Sequence, residues 1–98
     1  MGTVLRVLEY TWDPEKEAIN VRKRGVSFDE AKTVLHGRLA IAWFDEAHSQ
    51  HEPRFRTIGY SALGQLLVVV TSDDGVQPRI ISAWRATKRE RDAYERRR

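Results

Sequence analysis

No cysteine occurs in the 98 residues, so neither a disulfide nor a thiolate-bound metal can hold this fold. That absence fits a reducing compartment, and the chain is expected in the cytoplasm. The longest apolar run, LLVVV, falls far short of the roughly 20 residues that span a bilayer. The first ten residues, MGTVLRVLEY, lack the long apolar centre of a signal peptide, so no membrane partner is expected. The six glycines form neither G-x-G-x-x-G nor G-x-x-x-x-G-K-[ST], so the phosphate-cradling loops of nucleotide enzymes are missing. No serine stands in a G-x-S-x-G elbow. Internal repeats, linkers and low-complexity segments are absent as well.

What is present is globular sequence for one domain, residues 1–98. With 41% apolar and 32% charged residues it can bury a single core, with a small margin of stability. The net charge of +3 is unevenly spread. Residues 79–98 carry eight basic and three acidic groups, +5, while residues 1–78 carry nine and eleven, −2. A basic end on a near-neutral body points to an anionic partner, either nucleic acid or an acidic protein segment.

Local signals predict the order β-α-α-β-β-β-β-α. Val4–Tyr10 reads as a first strand. Asp13 caps a helix over Pro14–Arg24, with Pro14 at its first position and Gly25 ending it in a left-handed conformation. Ser27 and Glu30 form a capping box for a second helix, striped with Ala31, Val34 and Leu35 and ended by Gly37. Strands follow over Leu39–Phe44, Arg54–Tyr60, Leu66–Thr71 and Arg79–Ala83. The third of these is apolar on both faces and is expected at the centre of the sheet. Thr87 and Glu90 open a last helix near Lys88, and only the final three arginines are expected to be disordered. Short turns between the four strands imply an antiparallel meander covered by helices, an α+β fold.

Two groups of residues could carry chemistry. His48 and His51, with Asp45, Glu46 and Glu52 nearby, invite a metal site. An irregular loop without cysteine or H-E-x-x-H is better read as exposed and polar, so no metal and no cofactor are expected. The arginines on or beside strands say more. Arg54 and Arg56 share a face with Ile58 and Tyr60, Arg79 opens the last strand and Arg85 follows it. Guanidinium groups either meet carboxylates or line a groove for anions, and their flat forks match phosphate. If the anion is RNA, a base, a cluster of cations and a proton donor suffice for cleavage.

Four stretches, YTWDPEKEAINVRKRGVSFDEA, HSQHEPRFRTIG, LLVVVTS and RIISAWRATKRERDAYE, together resemble the BrnT family, the toxins of BrnT/BrnA type II toxin–antitoxin pairs. Trp12, Asp13, Lys16, Asn20, Lys23, Gly25, Phe28, Glu30 and Ala31 match its first motif. His48, Glu52, Arg54 and Gly59 match the middle, and Arg79, Ser82, Ala83, Ala86, Thr87, Glu90, Arg91 and Tyr94 the last. The resemblance implies a RelE-like fold: a small antiparallel sheet packed against two N-terminal helices, with a C-terminal helix. It implies a ribonuclease that cuts messenger RNA and inhibits translation. It also implies a BrnA-type antitoxin as partner, with operator DNA reached only indirectly through that antitoxin.

Two positions depart from the family pattern. Arg24 stands where the family has the histidine of K-H-G, and arginine is a poor base. Trp84 stands where it has the arginine of S-A-R, with Arg85 one residue later and so on the opposite strand face. The resulting assignment gives phosphate binding to Arg54, Arg79 and Arg85, with Lys23 and Arg24 approaching from the first helix. Proton transfer falls to Glu52 or His48, and RNA contacts to Arg56, Trp84, Lys88 and Tyr94. The alternative is a catalytically weakened module that binds RNA or antitoxin within an autoregulatory repressor complex.

Overall fold

A computed structural model describes residues 9–98. The expected strand over Val4–Tyr10 lies outside the described residues, apart from Glu9 and Tyr10, which are not in a strand. From there the order is α1 (Pro14–Arg24), α2 (Phe28–Leu35), β1 (Ile41–Phe44), β2 (Arg54–Tyr60), β3 (Leu66–Asp73), β4 (Pro78–Arg85) and α3 (Lys88–Arg97). A single 3₁₀ turn, Glu46–His48, interrupts the loop after β1. The four strands form an antiparallel sheet in the order β1-β2-β3-β4, as short turns require. Among the described residues no helix is long and apolar enough to cross a membrane.

The helix ends follow local chemistry. Asp13 accepts a hydrogen bond from the Glu15 N–H at 2.8 Å, and Gly25, at φ 70°, closes α1 by donating to Val21 O. Thr87 and Glu90 cap α3 reciprocally, and that helix runs through Arg97, so two of the three terminal arginines are helical rather than disordered. The box expected at α2 is only half made. Ser27 accepts from the Glu30 N–H at 3.1 Å, but the Glu30 carboxylate turns away to accept from Ser61 Oγ at 2.7 Å and Gln65 Nε2 at 2.8 Å. Glu17 serves the next donor instead, its carboxylate accepting from the Phe28 N–H at 2.8 Å and from Trp12 Nε1 at 3.2 Å. The C-cap of α2 is His36 rather than Gly37. Strand β1 starts at Ile41 instead of Leu39, because Arg38 and Leu39 lie in a turn in which the Ala40 N–H donates to Gly37 O at 3.4 Å; the Leu39 carbonyl accepts from the Tyr94 hydroxyl at 3.0 Å. Strands β3 and β4 run longer than expected, to Asp73 and from Pro78 to Arg85.

The sheet has a helix layer on each side. On one face Val26, Phe28, Ala31 and Val34 bury against Leu67, Val69, Ile80 and Ala83. On the other, Tyr94 of α3 packs with Ile58, Leu66 and Val68, joined by Ile41, Trp43 and Trp84. Strand β3 is buried along nearly its whole length, as its two-sided apolar pattern indicated. Gly59 permits close approach at the first face: a Cβ there would stand 3.1 Å from Ala40 Cβ and 3.3 Å from Val34 Cγ1.

Strand β4 would otherwise expose its outer backbone groups. Near its start the Thr11 backbone pairs with it, donating to Pro78 O at 3.1 Å and accepting from the Ile80 N–H at 2.8 Å. Further along, the buried Asn20 amide does the same work from α1. It donates to Ala83 O at 3.0 Å and to Val26 O at 2.9 Å, and accepts from the Ala83 N–H at 3.1 Å. Asn20 is the sole buried residue of α1. Leaving these partners unsatisfied costs about 1–3 kcal/mol per buried group. Asn20→Ala is therefore expected to lower the thermal midpoint by roughly 10–20 °C, at about 4–8 °C per kcal/mol, whereas Ile19→Ala, at an exposed site of the same helix, should shift it by only a degree or two. Calorimetry of the two variants checks this, and equal shifts would contradict it.

Candidate active site

Tyr94 covers only part of the second sheet face. Towards the β1–β2 loop and the β3–β4 turn that face opens into a groove. Register puts Arg54 opposite Ser72 and Ser72 opposite Arg79, while Arg56 lies opposite Val70 and Val70 opposite Ser82. A bulge after Val70 inserts Ile81 as an extra residue in β4. Arg79 and Trp84 are five residues apart and would face opposite ways in a regular strand. The extra residue brings both onto the groove face.

The walls come from the loop after β1 and from α1. The loop is folded back on β2: Ser49 Oγ donates to Asp45 O at 2.6 Å and accepts from the Arg54 N–H at 2.9 Å. This holds His48, whose Nδ1 lies 3.0 and 3.1 Å from the Asp45 carboxylate oxygens. From the other side Lys16, Asn20 and Lys23 form one stripe of α1, at helical spacings of four and three. With Asn20 fixed to β4, the two lysines lie along the groove. Three adjoining depressions result, of about 400, 350 and 190 Å³, and Lys16 and Ile81 line all three. The largest adds His48, Glu52, Arg54 and Arg79, the next Asp45, Arg56 and Trp84, and the smallest Lys23 and Arg24.

Six lysines and arginines thus face two carboxylates, so the groove is positive even after internal pairing. Arg79 is the most constrained. Its Nη2 donates to both Glu52 oxygens at 2.9 and 2.7 Å, and its Nη1 to Asp74 at 3.1 Å. Arg56 approaches Asp45 at 3.4 Å. Arg54, Lys16, Lys23 and Arg24 make no side-chain ion pair among the described residues. The two departures from the family pattern touch: the Arg24 guanidinium stacks over the Trp84 ring at 4.9 Å, and Arg56 approaches the same ring at 5.6 Å. Trp84 Nε1 is anchored to Glu90 of the α3 cap at 3.1 Å.

The carboxylates stay ionised. The His48 hydrogen bond, with help from Arg56, holds Asp45 below the ordinary carboxylate range. The hydrogen bond from Arg79 does the same for Glu52, aided by the Ser72 hydroxyl, and Glu52 in turn pushes Arg79 upward. Glu52 is thus suited to orient Arg79 and ill suited to donate a proton near neutrality. Among the described residues no three histidines, aspartates or glutamates are grouped to hold a metal ion.

Of the residues expected from sequence, Lys23, Arg24, His48, Glu52, Arg54, Arg56, Arg79 and Trp84 share the groove, and three lie elsewhere. Arg85 falls one residue past Trp84, and its Nε donates to Gln65 Oε1 at 2.6 Å, away from the groove. Lys88 is exposed on α3 and paired with Asp92 at 3.1 Å. Tyr94 is fully buried, so it cannot meet a base while α3 is docked. Sequence reasoning named Lys16 only as a motif match and Asp45 only as a neighbour of the histidines, and gave neither a role in the site. The Lys16-Asn20-Lys23 period and the Asp45-x-x-His48 spacing were the signals available for them.

The depressed Glu52 value generates a test. A lowered carboxylate contributes stability that is present above its unfolded value and lost as pH falls through the folded one. In Arg79→Ala the Glu52 midpoint is expected to climb back towards the ordinary glutamate range. Asp74 should move less, because backbone N–H groups of Gln77 and Val76 dominate its shift. Side-chain ¹³C titration reads both, and an unmoved Glu52 midpoint would mean that the pair does not form in solution.

Comparison with known proteins identifies the family and the fold. The family model described as "Ribonuclease toxin, BrnT, of type II toxin-antitoxin system" matches residues 12–90. The crystal structure of the Brucella abortus ribonuclease toxin BrnT superposes with a TM-score of 0.64 at 21% identity, over 84% of this chain and 100% of that one. The shared architecture is a four-stranded antiparallel sheet with three helices. No protein in a search of curated sequences matches this chain. The chain belongs to the BrnT family, the ribonuclease toxins of type II toxin–antitoxin systems.

Proposed function

We propose that this chain is an endoribonuclease that cuts messenger RNA without a metal ion and thereby inhibits translation. A BrnA-type antitoxin neutralises it, and operator DNA is reached only through that antitoxin. The observation that carries this reading is the His48–Asp45 pair, set at the rim of a groove with guanidinium groups on its floor.

In this mechanism the ionised Asp45 accepts from His48 Nδ1–H, which leaves the Nε2 lone pair free. Nε2 removes the proton of a ribose 2′-OH, whose oxygen attacks the adjacent phosphorus. The phosphorane charge falls on Arg54 and Arg79, the latter oriented by Glu52. The bond to the 5′-oxygen breaks, and Lys16 on the opposite wall donates a proton to that leaving oxygen. The products are a 2′,3′-cyclic phosphate and a 5′-hydroxyl. Every cation named is supplied by the chain, which is why no metal is invoked.

The decisive assay incubates purified protein with messenger RNA in a chelator and maps the new ends. His48→Gln is expected to lower the cleavage rate by roughly 10²–10⁴-fold, the usual worth of a positioned general base. Arg54→Ala should cost roughly 10²–10³-fold, as for loss of one charge-stabilising donor. His48 is exposed and Arg54 half-buried, and neither belongs to a core cluster, so neither substitution should move the thermal midpoint appreciably. Intact RNA with excess wild-type protein, beside an active BrnT toxin as control, would leave the binding-module reading in its place.

A further inference from the structure

The proposed chemistry uses only the part of the groove around Arg54 and Arg79. The smallest depression, at the far end of α1, is left over apart from Lys16, which lines the largest one too. Lys16, Lys23, Arg24 and Ser82 line it, with no carboxylate among its residues. Basic residues in a last helical turn are ordinary and need no ligand. Here a second observation adds to them. Although Arg24 is exposed, its guanidinium lies 4.9 Å over the face of Trp84, whose own ring is tied to Glu90. A stacked guanidinium loses rotamer freedom in advance while its N–H edge stays open to an acceptor.

We infer that this depression is a second phosphate subsite, which holds a backbone phosphate of the same single-stranded RNA some nucleotides away from the cut. The inference rests on the proposed nuclease reading for the identity of the strand. The dimensions suit it. Lys16 and Lys23 are seven residues apart, about 10 Å along the helix. A stacked strand presents one phosphate per roughly 3.4 Å of axis, so Lys16 and Lys23 stand about three phosphate steps apart. Lys16, shared by both depressions, bridges the sites. A strand laid along α1 thus meets Arg54 and Arg79 at one end and Lys23 and Arg24 at the other. Trp84 acts as a positioning residue through Arg24. Its ring face is already occupied by guanidinium groups, which argues against its serving as an open stacking platform for a base.

The test is binding of 2′-deoxy oligonucleotides of two to eight residues, measured by fluorescence anisotropy at several salt concentrations. These strands lack the attacking hydroxyl, so the result stands whether or not the matching RNA is cut. For the wild type, the octamer should bind roughly 10–100-fold more tightly than the dinucleotide, the worth of one or two charge-assisted contacts. In Lys23→Ala/Arg24→Ala that ratio should collapse towards one. The log–log salt slope for the octamer should also flatten by about 0.7 for each phosphate lost. Trp84→Leu should reduce the length advantage, while Trp84→Phe, which keeps a ring under Arg24, should retain most of it. Thermal melts exclude loss of fold as the cause. A wild-type protein with no length dependence would overturn the inference. So would a double variant whose octamer affinity is intact but whose affinity for a glutamate decamer is lost, which would assign the subsite to an acidic protein segment.

Discussion

The groove depends on one side-chain amide. Helix α1 has little apolar surface with which to dock: Ile19 and Val21 are exposed, and its sole buried residue is Asn20. An apolar stripe would hold a helix against a sheet while tolerating some rotation. The Asn20 amide tolerates little, because its donor and acceptor must meet the C=O and N–H of one residue, Ala83. That match fixes the angle of α1 about its axis. It also satisfies two backbone groups on the outer edge of β4, where burial without a partner would be costly. Lys16 and Lys23, one turn or so to either side, face the sheet only because Asn20 does.

A second constraint acts within β4. Alternation would send Arg79 and Trp84 to opposite faces, and the Ile81 bulge cancels one step of it. The groove therefore gains Arg79 without losing Trp84, and the first core keeps Ile80 and Ala83 on its own side. The same arithmetic sends Arg85 out of the groove. No glycine or proline marks the bulge, so nothing local to RIISAWR announces it. Face assignments within β4 could not be read from the sequence, although the strand itself could.

This contrast separates what was legible from what was not. The bounds of α1, β2 and the start of α3 follow from caps and turns that act over four or five residues: Asp13 with Pro14, Gly25, and Thr87 with Glu90. The meander follows from short connections. Where a polar side chain had a distant competitor, local grammar failed. Glu30 abandons its box for Ser61 and Gln65, more than thirty residues away. Tyr94 was expected to contact RNA, but its ring fills the second core and its hydroxyl donates to the Leu39 carbonyl. The candidate site was legible as residue types, arginines near strands and a histidine in a polar loop. Its partition was not, because membership of a groove depends on register, bulges and which carboxylate reaches which guanidinium.

Arg24 and Trp84 show the cost of reading positions one at a time. Against the family pattern the first looks like a lost histidine and the second like a lost strand cation. In the fold they are in contact, the Arg24 guanidinium resting over the Trp84 ring. A guanidinium remains protonated near neutrality, so Arg24 supplies positive charge at this end of the groove and transfers no proton. Under the proposed mechanism the general base is His48. Its partner Asp45 has the property that role demands: a carboxyl held ionised by the histidine it orients and by the Arg56 beside it. Arg56 approaches both Asp45 and the Trp84 ring that supports Arg24, so the proton-transfer end of the groove and its far cationic end are joined through one side chain.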